Sequence, residues 1–308
     1  MILLRALYQI LKFLRVFAII AYTLLLWIHF VLKDHFHYFQ VVFYAFPLPI
    51  IIIVGVFLIL LFSIKPRTFL LDIFLLVLFI TGIFLKNSFI FPDKKIVPDT
   101  ATSVLFWNAA DGHDLPVRVI LESIKNVRPD IIGVVEATNA TQSDIDKLSE
   151  TFPEYHFQIL EGGMLVGIKG SITNILFMSE PHSYDLNIIK AQLDSGNFTI
   201  AITDTFQDPS MNKRQTLSTV FNHLKANDAG IIVGDFNTPY ESVHFKNYKE
   251  EYQNMRNYGN GFTATWLFGY PILEIDQIYI DKDFKPLTLD KFNYKASDHA
   301  MLVAYLQN

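Results

Sequence analysis

Hydrophobic positions follow two different patterns along this chain of 308 residues. In the first third, three nearly unbroken apolar runs lie at about 13–32, 41–64 and 69–91, and each is close to the ~20 residues that a helix needs to cross a bilayer. We therefore predict three transmembrane helices in a membrane domain at 1–91. A cleaved signal peptide would account for the first run but not for the other two.

A polar segment with a proline near each end, 91–99, follows the third run and predicts a linker at 92–100. Beyond it, short apolar or alternating runs predict strands, and longer amphipathic runs predict helices, in a second domain at 101–308. The predicted strands are 102–107, 131–136, 230–234, 274–280 and 300–306, with more β-rich runs within 157–205, and the predicted helices are near 115–127, 142–150 and 211–225. Strands that first alternate with helices and later cluster indicate an α/β domain with sheet layers and outer helices.

Charge and cysteine content narrow the chemistry of the second domain. Residues 92–308 carry 18 basic and 28 acidic side chains, a net charge of −10. Because nonspecific binding of nucleic acid depends on lysine and arginine neutralising phosphates, nucleic acid is a disfavoured partner. The chain has no cysteine, so it has neither a catalytic thiol nor a thiolate metal site.

Basic residues predict the orientation of the membrane domain. Arg5, Lys12 and Arg15 precede the first apolar run, and Lys65 and Arg67 lie between the second and the third. Since lysine and arginine favour the cytoplasmic side, both segments are predicted to be cytoplasmic. Three crossings then predict a multi-pass protein of the cytoplasmic (inner) membrane with residues 92–308 extracytoplasmic.

Candidate chemistry is densest at 231–239, where the apolar run Ile-Ile-Val-Gly is followed by Asp-Phe-Asn-Thr-Pro. Reactive groups of layered α/β proteins lie on loops just past buried strands. Asp235 could take a proton from a water molecule, and the Asn237 amide could donate to a phosphoryl oxygen. The alternative is an Asx turn closed by Pro239, in which both side chains only cap backbone groups.

Other predicted strands also carry polar side chains near their ends. Asn108 follows the first strand, Glu136 ends an apolar strand, Asp276 lies within a strand, and Asp298 and His299 precede the last one. A carboxylate at the end of an apolar strand is costly unless it is paired or binds a cation, so Glu136 is the strongest single candidate for a metal ligand. Alternatively, its side chain turns outward to solvent.

Taken in order, these polar groups resemble the motifs of the endonuclease/exonuclease/phosphatase superfamily, which has a deoxyribonuclease I-like fold. The resemblance covers about 100–308 and implies a four-layer α/β/β/α sandwich, preceded here by three transmembrane helices. It also implies Mg²⁺ or Mn²⁺ held by Glu136, with help from Asn108 and Asp298.

The same resemblance implies the catalytic roles. Asp235 would orient or deprotonate the attacking water, and Asp276 would hold the tautomer of His299. Contacts to the substrate phosphate are implied for Asn108, Thr205, Asn237 and His299.

The strand predicted at 198–206 departs from the superfamily pattern. Many members end the corresponding strand on a histidine or tyrosine that reaches the phosphate, whereas this chain has Thr205, with Asp204 beside it. A hydroxyl can hydrogen-bond a phosphoryl oxygen but carries no positive charge. Either activity is reduced, or Lys213 or Arg214 supplies the contact.

The domain order resembles that of VanJ-type membrane proteins associated with glycopeptide resistance. This resemblance implies a phosphorylated lipid substrate, a lipid-linked diphosphate such as undecaprenyl diphosphate, hydrolysed at the outer face of the membrane. Two alternatives are a membrane-anchored endonuclease or exonuclease, which needs a basic groove, and a non-catalytic membrane scaffold that keeps the fold. The aromatic-rich segment 261–270 either rests on the membrane interface or covers the core.

Overall fold

The structure is a computed structural model that describes residues 2–62, 67–93, 95–112 and 114–308. The chain divides into two compact units, Met1–Phe89 and Ile90–Asn308. The predicted linker at 92–100 lies within the second unit. Lys65, one of the residues used to predict orientation, lies outside the described residues.

The first unit is helical. Its α-helices are α1 (Ile2–Trp27), α2 (His37–Ala45), α3 (Leu48–Phe62) and α4 (Arg67–Ser88), and a π-helical turn, Ile28–Leu32, extends α1. Helices α1 and α3 pack together around Tyr22, Ile51 and Leu58. Gly55 permits this contact, because a Cβ atom there would lie 2.5 Å from the Tyr22 hydroxyl oxygen.

The described part of the chain does not support three membrane spans. One helix, Tyr8–Leu32, is long and apolar enough to cross a membrane. The second predicted run is divided into two helices, His37–Ala45 and Leu48–Leu60, which meet at 70° and pass the same test only as a pair. Pro47, which cannot continue the backbone hydrogen bonds of a helix, lies at this break. The third run contributes only a short apolar helix, Ile73–Ser88.

The second unit alternates strands and helices, and most predicted elements are present within two or three residues of their expected ends. Its strands, together with β1 at the boundary between the units, are β1 (Phe89–Ile90), β2 (Thr102–Asn108), β3 (Ile131–Val135), β4 (Tyr155–Leu160), β5 (Met164–Glu180), β6 (Tyr184–Leu193), β7 (Gly196–Thr205), β8 (Ile231–Asp235), β9 (Tyr252–Asn254), β10 (Gly261–Phe262), β11 (Asp276–Asp281), β12 (Lys285–Asn293) and β13 (Ala300–Gln307). Its α-helices are α5 (Val117–Val127), α6 (Gln142–Thr151), α7 (Lys213–Ala226) and α8 (Lys246–Glu251), with 3₁₀ turns at Val243–Phe245 and Met255–Tyr258. Strand β12 and helix α8 were not predicted.

Two sheets share the long strand β5. The first part of β5 pairs with β3 and β4 in a sheet of order β12-β13-β2-β3-β5-β4, and its second part continues in the order β5-β6-β7-β8-β11-β9. Gly170 lies where β5 passes between the sheets. Its φ of +148° is one that side chains rarely adopt, and a Cβ atom there would overlap the Gln192 carbonyl oxygen.

Side chains of both sheets meet in one apolar layer that includes Val104 and Ile200. The outer face of the first sheet packs on α5 through Ile120, and the outer face of the second packs on α7 through Leu217. The layers therefore follow the order helix, sheet, sheet, helix. This confirms the predicted α/β sandwich, whereas the three transmembrane helices predicted before it lack support.

Candidate active site

Several polar side chains at the ends of strands lie at one end of the apolar layer between the two sheets. Alternation of side chains along each strand places them there. In β7, Ile200 and Ile202 point into this layer, so Asp204 lies on the same face. In β8, Ile231 and Val233 precede Asp235 in the same way. The two strands are parallel neighbours, and their carboxyl ends place these two carboxylates side by side.

Four aspartates lie next to one another across four neighbouring strands. The strand register pairs Asp185 with Asp204, Asp204 with Asp235, and Asp235 with Asp276. We call these four residues the aspartate row. Neighbouring strands are about 4.8 Å apart, and like charges directly opposite each other destabilise a sheet. The row therefore requires compensation by protons, hydrogen bonds or a cation.

Glu136 joins two members of this row. Glu136, Asp204 and Asp235 each offer a carboxylate oxygen, and these atoms all lie within 4.8 Å of one another. We call these three residues together the carboxylate group. Glu136 follows β3 with a φ of 49°, a strained backbone conformation for a residue with a side chain. This conformation turns the side chain away from the face that alternation along β3 would give it. Burial raises the pKa of all three carboxyl groups, and it raises that of Asp235 to about 7.

The donor set fits the cation that the sequence implies. Three carboxylates that converge from different strands suit Mg²⁺ or Mn²⁺, which prefer oxygen ligands. Burial is the main cause of their raised pKa values, and the charges of neighbouring carboxylates add to it; a bound cation would stabilise the ionised forms. Asp204, which the sequence had not linked to a metal, belongs to this group of ligand candidates.

Asn108 positions the carboxylates through its NH₂ group. It donates to Glu136 Oε1 and to Asp235 Oδ2, both at 2.9 Å, while its own Oδ1 accepts from the Ala110 backbone N–H at 2.7 Å. Ligation of a cation by this oxygen would require the amide to turn around. A direct role for Asn108 as a metal ligand or phosphate contact stays a prediction.

His299 and Asp276 form a buried pair beside the carboxylates. The Nδ1 atom of His299 lies 2.9 Å and 3.1 Å from the two Asp276 carboxylate oxygens and 3.7 Å from Asp235 Oδ2. Burial lowers the pKa of His299, but the negative charges of Asp276, Asp235 and Asp298 outweigh burial and raise the pKa to about 10. The ring is therefore a cation at neutral pH, and its Nε2–H is available as a donor.

Asp298 is held by a contact that its sequence position does not suggest. Its Oδ2 accepts from Trp266 Nε1 at 2.8 Å, and its Oδ1 lies 3.8 Å from His299 Nε2. Ser297 anchors the same segment, because its hydroxyl donates to the Asn108 carbonyl oxygen at 2.7 Å and accepts from the His299 backbone N–H at 2.9 Å. Asp298 lies outside the group that includes Glu136, so its role as a metal ligand stays a prediction.

The turn after β8 combines the two interpretations offered for it. The Asn237 backbone N–H donates to Asp235 Oδ1 at 2.8 Å, as in an Asx turn, while Asp235 Oδ2 faces Asn108. The Asn237 NH₂ group donates to the Thr205 carbonyl oxygen at 2.7 Å and lies 3.4 Å from Asp204 Oδ1. Asp235 therefore both shapes the turn and contributes to the carboxylate group.

Thr205 faces away from the carboxylate group. It is one residue out of phase with Asp204 along β7, it is fully buried, and its hydroxyl donates to the Phe236 carbonyl oxygen. This hydrogen bond uses the only proton that the hydroxyl could offer to a phosphate. Counting in steps of two from Ile200 would have identified Asp204, rather than Thr205, as the strand-end group on the site's face.

Lys213 lies behind the site. Its side chain is 1% exposed, and its ammonium group donates to the Phe206 carbonyl oxygen. Burial lowers the pKa of Lys213 to about 8, although Asp235 and Asp204 oppose this shift. Lys213 thus fixes the loop after β7 and adds positive charge near the carboxylates, whereas Arg214 is exposed.

A cavity of about 460 Å³ opens beside the carboxylate group. Glu136, Asp204 and Asn237 line one part of it, and residues 179–185 and 206–207 line the rest, together with Asp111 and Thr205. We call it the acidic cavity. Its size falls within the ~300–1,000 Å³ that is usual for small-molecule sites.

A known protein family matches much of the second unit. Residues 105–299 match the model of the Endonuclease/Exonuclease/phosphatase family. No curated protein sequence matches this chain significantly.

Solved structures share the fold of the second unit. An endonuclease/exonuclease/phosphatase family protein from Bacteroides thetaiotaomicron aligns with a TM-score of 0.53 and 15% identity over 67% of this chain and 97% of that one. The mannosyl-6-phosphatase Bt3783 of the same organism gives 0.53 and 14% over 67% and 100% of the two chains. D. rerio TDP2 in complex with a single-strand DNA product gives 0.54 and 13% over 68% and 100%. At identities this low, the structural similarity establishes the fold but not the substrate.

Proposed function

Because the chain belongs to the endonuclease/exonuclease/phosphatase family, whose members are phosphoesterases and nucleases, we propose that it is a metal-dependent phosphoric-ester or diphosphate hydrolase attached to a membrane. One observation carries the proposal: the carboxylates of Glu136, Asp204 and Asp235 converge within 4.8 Å beside the His299–Asp276 pair. This arrangement combines negatively charged ligands for a cation with a general base, Asp235, and a hydrogen-bond donor, His299.

The proposed mechanism assigns proton transfers to two groups. Asp235 takes a proton from the water that attacks phosphorus. The negative charge of Asp276 keeps His299 protonated. His299 donates a hydrogen bond from Nε2 to a phosphoryl oxygen and stabilises the charge that develops there. The new P–O bond to water forms as the ester or anhydride P–O bond breaks, and the leaving oxygen takes a proton from the site or from solvent.

The cation has a limited and separate role. Held by Glu136 and Asp204 with Asp235, Mg²⁺ or Mn²⁺ would neutralise charge on the phosphoryl group during in-line attack. Asn108 keeps Glu136 and Asp235 in place for this purpose through its two hydrogen bonds. The Asn237 NH₂ group makes two contacts, and the one with Asp204 is longer than the one with the Thr205 carbonyl oxygen. Asn237 can donate to the phosphate only if it releases Asp204.

The proposed substrate is a lipid-linked phosphate, with a polyprenyl diphosphate as the first candidate. Support comes from the apolar helix Tyr8–Leu32, which is long enough to cross a membrane. Support also comes from three exposed apolar residues in one loop, Leu267, Phe268 and Tyr270, the last 81% exposed. Such side chains lie favourably at a membrane interface.

The proposed location is the outer face of the cytoplasmic membrane. An odd number of crossings from a cytoplasmic amino terminus reaches that face, either Tyr8–Leu32 alone or all three apolar runs. It is supported by three basic residues near the amino terminus: Arg5 precedes the apolar helix Tyr8–Leu32, and Lys12 and Arg15 lie near its start. A nuclease is the second candidate. It has less support, because none of the described residues that line the acidic cavity is a lysine or an arginine.

The test is hydrolysis by the full-length protein in detergent, with Mg²⁺, Mn²⁺ or excess EDTA. Polyprenyl diphosphate, plasmid DNA and sphingomyelin are compared side by side, with phosphate release, strand cleavage and phosphocholine release as readouts. We expect cation-dependent phosphate release, and losses in kcat of at least ~10²-fold for Glu136→Gln, Asp235→Asn and His299→Ala. Full activity in EDTA would refute the metal mechanism, and cleavage of DNA alone would favour the nuclease.

A further inference from the structure

A small hairpin at 266–273 lies beside the candidate active site. Its two ends are joined twice: the Trp266 backbone N–H donates to the Leu273 carbonyl oxygen at 3.0 Å, and the Leu273 N–H donates to the Trp266 carbonyl oxygen at 2.9 Å. Four consecutive residues at its tip, 267–270, are exposed. We call residues 266–273 the Trp266 hairpin.

The tip of the Trp266 hairpin is apolar and uncharged. Leu267 and Phe268 are each 38% exposed, and Tyr270 is 81% exposed. The sequence around them, 257–273, contains no lysine, arginine, histidine, aspartate or glutamate, although charged residues make up 18% of the chain. Aromatic and aliphatic side chains without charges suit the interfacial layer of a bilayer, and the same chain has an apolar helix long enough to cross one. A lipid surface is therefore the partner that fits this tip.

The base of the Trp266 hairpin contacts the segment that carries His299. The indole N–H of Trp266 donates to Asp298 Oδ2 at 2.8 Å, and the Trp266 and His299 ring centroids are 6.4 Å apart. The Asp298 side chain is 41% exposed, so this hydrogen bond restrains a carboxylate that largely faces solvent. Its other oxygen, Oδ1, lies 3.8 Å from His299 Nε2. Trp266 thus fixes Asp298 next to the atom that donates to the phosphate in the proposed mechanism.

Thr265, which directly precedes the hairpin, joins it to both members of the His299–Asp276 pair. The Thr265 carbonyl oxygen accepts from the Ala300 backbone N–H at 2.9 Å. Its hydroxyl oxygen accepts from the backbone N–H groups of Ile275 and Asp276, both at 3.2 Å. Thr265 is buried, so these bonds are shielded from water. A displacement of the hairpin would therefore move the segments that carry both residues of the pair.

The tip and the base of the hairpin differ in burial, and this difference links them energetically. None of residues 267–273 is buried, and segments with few buried apolar side chains open at the lowest cost. Insertion of the tip into a bilayer interface would bury these side chains and favour the closed hairpin, in which Trp266 holds Asp298. Lipid at the tip and Asp298 at the base then stabilise the same conformation, so each strengthens the contact of the other.

We propose that a lipid surface activates this domain: docking of the apolar tip stabilises the Trp266 hairpin, and Trp266 in turn positions Asp298 and His299. Trp266 is a positioning residue, because it acts through Asp298 and not on the phosphate itself. The inference rests on the proposed hydrolase function and adds a regulator to it. The bilayer changes the rate of the reaction, in addition to any lipid substrate that it supplies.

The first experiment uses a substrate that stays in water, so that access to the membrane cannot explain the result. Full-length protein is kept in detergent or reconstituted in phosphatidylcholine nanodiscs, and hydrolysis of 4-nitrophenyl phosphate is measured with Mg²⁺. We expect kcat to be roughly fivefold or more higher in nanodiscs, which is the lower end of couplings between linked sites. KM should change less than kcat, because the hairpin acts on the positions of Asp298 and His299.

Variants assign this gain to the hairpin. It should disappear when Leu267, Phe268 and Tyr270 are changed to serine, and also in Trp266→Phe, which keeps an aromatic ring but has no N–H to donate. Leu176→Ser is the matched control, because Leu176 is 41% exposed on β5, and it should keep the gain. Only the ratio of the two rates within one variant is compared, so a general loss of activity does not count. No gain in the wild type, or a full gain in either hairpin variant, would overturn the inference and leave hydrolysis itself intact.

The second experiment needs no turnover and therefore separates this inference from the hydrolase function. The chain has no cysteine, so Tyr270→Cys provides a single attachment site for a fluorophore at the tip. In phosphatidylcholine vesicles that contain nitroxide-labelled lipid, this fluorophore should be quenched, whereas one attached through Leu176→Cys should not. A label at the tip that is shielded from water without quenching by lipid would indicate a protein partner and overturn the inference.

The coupling is tested from the other end of the hairpin. Because coupling between two sites is reciprocal, Asp298→Ala should weaken the quenching at the tip, although Asp298 itself does not belong to the tip. Asp290→Ala, which removes a carboxylate on β12, should leave it unchanged. Equal quenching with and without Asp298→Ala would overturn the inference. The expected result without hydrolysis of any ester would support the coupling and count against the hydrolase function alone.

Discussion

Replacing Asp204 by asparagine should have opposite effects on stability without and with a divalent cation. The change keeps the size of the side chain and removes one negative charge from the group formed with Glu136 and Asp235. Without a cation, these carboxylates only repel one another, so the variant should be more stable than the wild type. With Mg²⁺, the wild type should gain stability that the variant lacks.

The geometry sets the size of the effect. Two unit charges 4.8 Å apart repel by about 3.5 kcal/mol at an effective dielectric constant of ~20. Protonation relieves part of this, because burial raises the pKa of Asp235 to about 7. If about 1 kcal/mol remains at pH 8, the midpoint of thermal unfolding rises by roughly 2–4 °C for a domain of this size.

The assay is thermal unfolding of the detergent-solubilised protein at pH 8, in EDTA and across a Mg²⁺ titration. Ligand binding stabilises the folded state by RT ln(1 + [L]/Kd), so the slope of the midpoint against Mg²⁺ reports affinity. Asp290→Asn, which removes a carboxylate remote from the site, serves as the control. A lower midpoint for Asp204→Asn in EDTA, or an undiminished response to Mg²⁺, would refute a cation site built on this carboxylate group.

Three further predictions concern the proton donor, the loop and the topology. His299 must be protonated to donate, so activity should fall as pH rises through its pKa of about 10. Asp276→Asn should move this limb of the kcat/KM profile towards 6.5 and lower kcat at pH 7 by roughly fourfold, because a ring of that pKa is about one-quarter protonated there; an unmoved limb would contradict the assignment. Changing Leu267, Phe268 and Tyr270 to serine should slow hydrolysis in vesicles but not in detergent, whereas Leu176→Ser, at another exposed apolar site, should change neither; equal rates in vesicles would exclude an interfacial role. A reporter fused after Asn308 should be active only outside the cytoplasm, and cytoplasmic activity would reverse the proposed orientation.

The loop experiment leaves Trp266 unchanged for a structural reason. Although Trp266 belongs to the same aromatic-rich segment, it is half-buried and its indole N–H donates to Asp298. Replacing it would disturb the site directly. A loss of activity in that variant could not be assigned to the membrane.

Much of the second unit could be predicted from local patterns. Alternating apolar residues and turn signals located most strands and three helices, because these features depend on neighbouring residues in the chain. Polar groups that follow apolar runs, such as Glu136 and Asp235, marked the strand ends as candidate sites for the same reason. Strand β12 escaped prediction because it is an edge strand with mixed burial that is stabilised by pairing with β13.

Only the tertiary structure decided which side chains meet. The contact of Trp266 with Asp298 joins residues 32 positions apart, and the bond from Asn108 to Asp235 joins residues 127 apart. Local hydrophobicity alone also did not determine the number of membrane spans, because one apolar run is divided into α2 and α3, which meet at an angle of 70°. Asp185 enters the site because the register of β6 and β7 sets it opposite Asp204. A shift of one residue in that register would turn Asp185 to the other face, and no pattern within a single strand determines its alignment with the next.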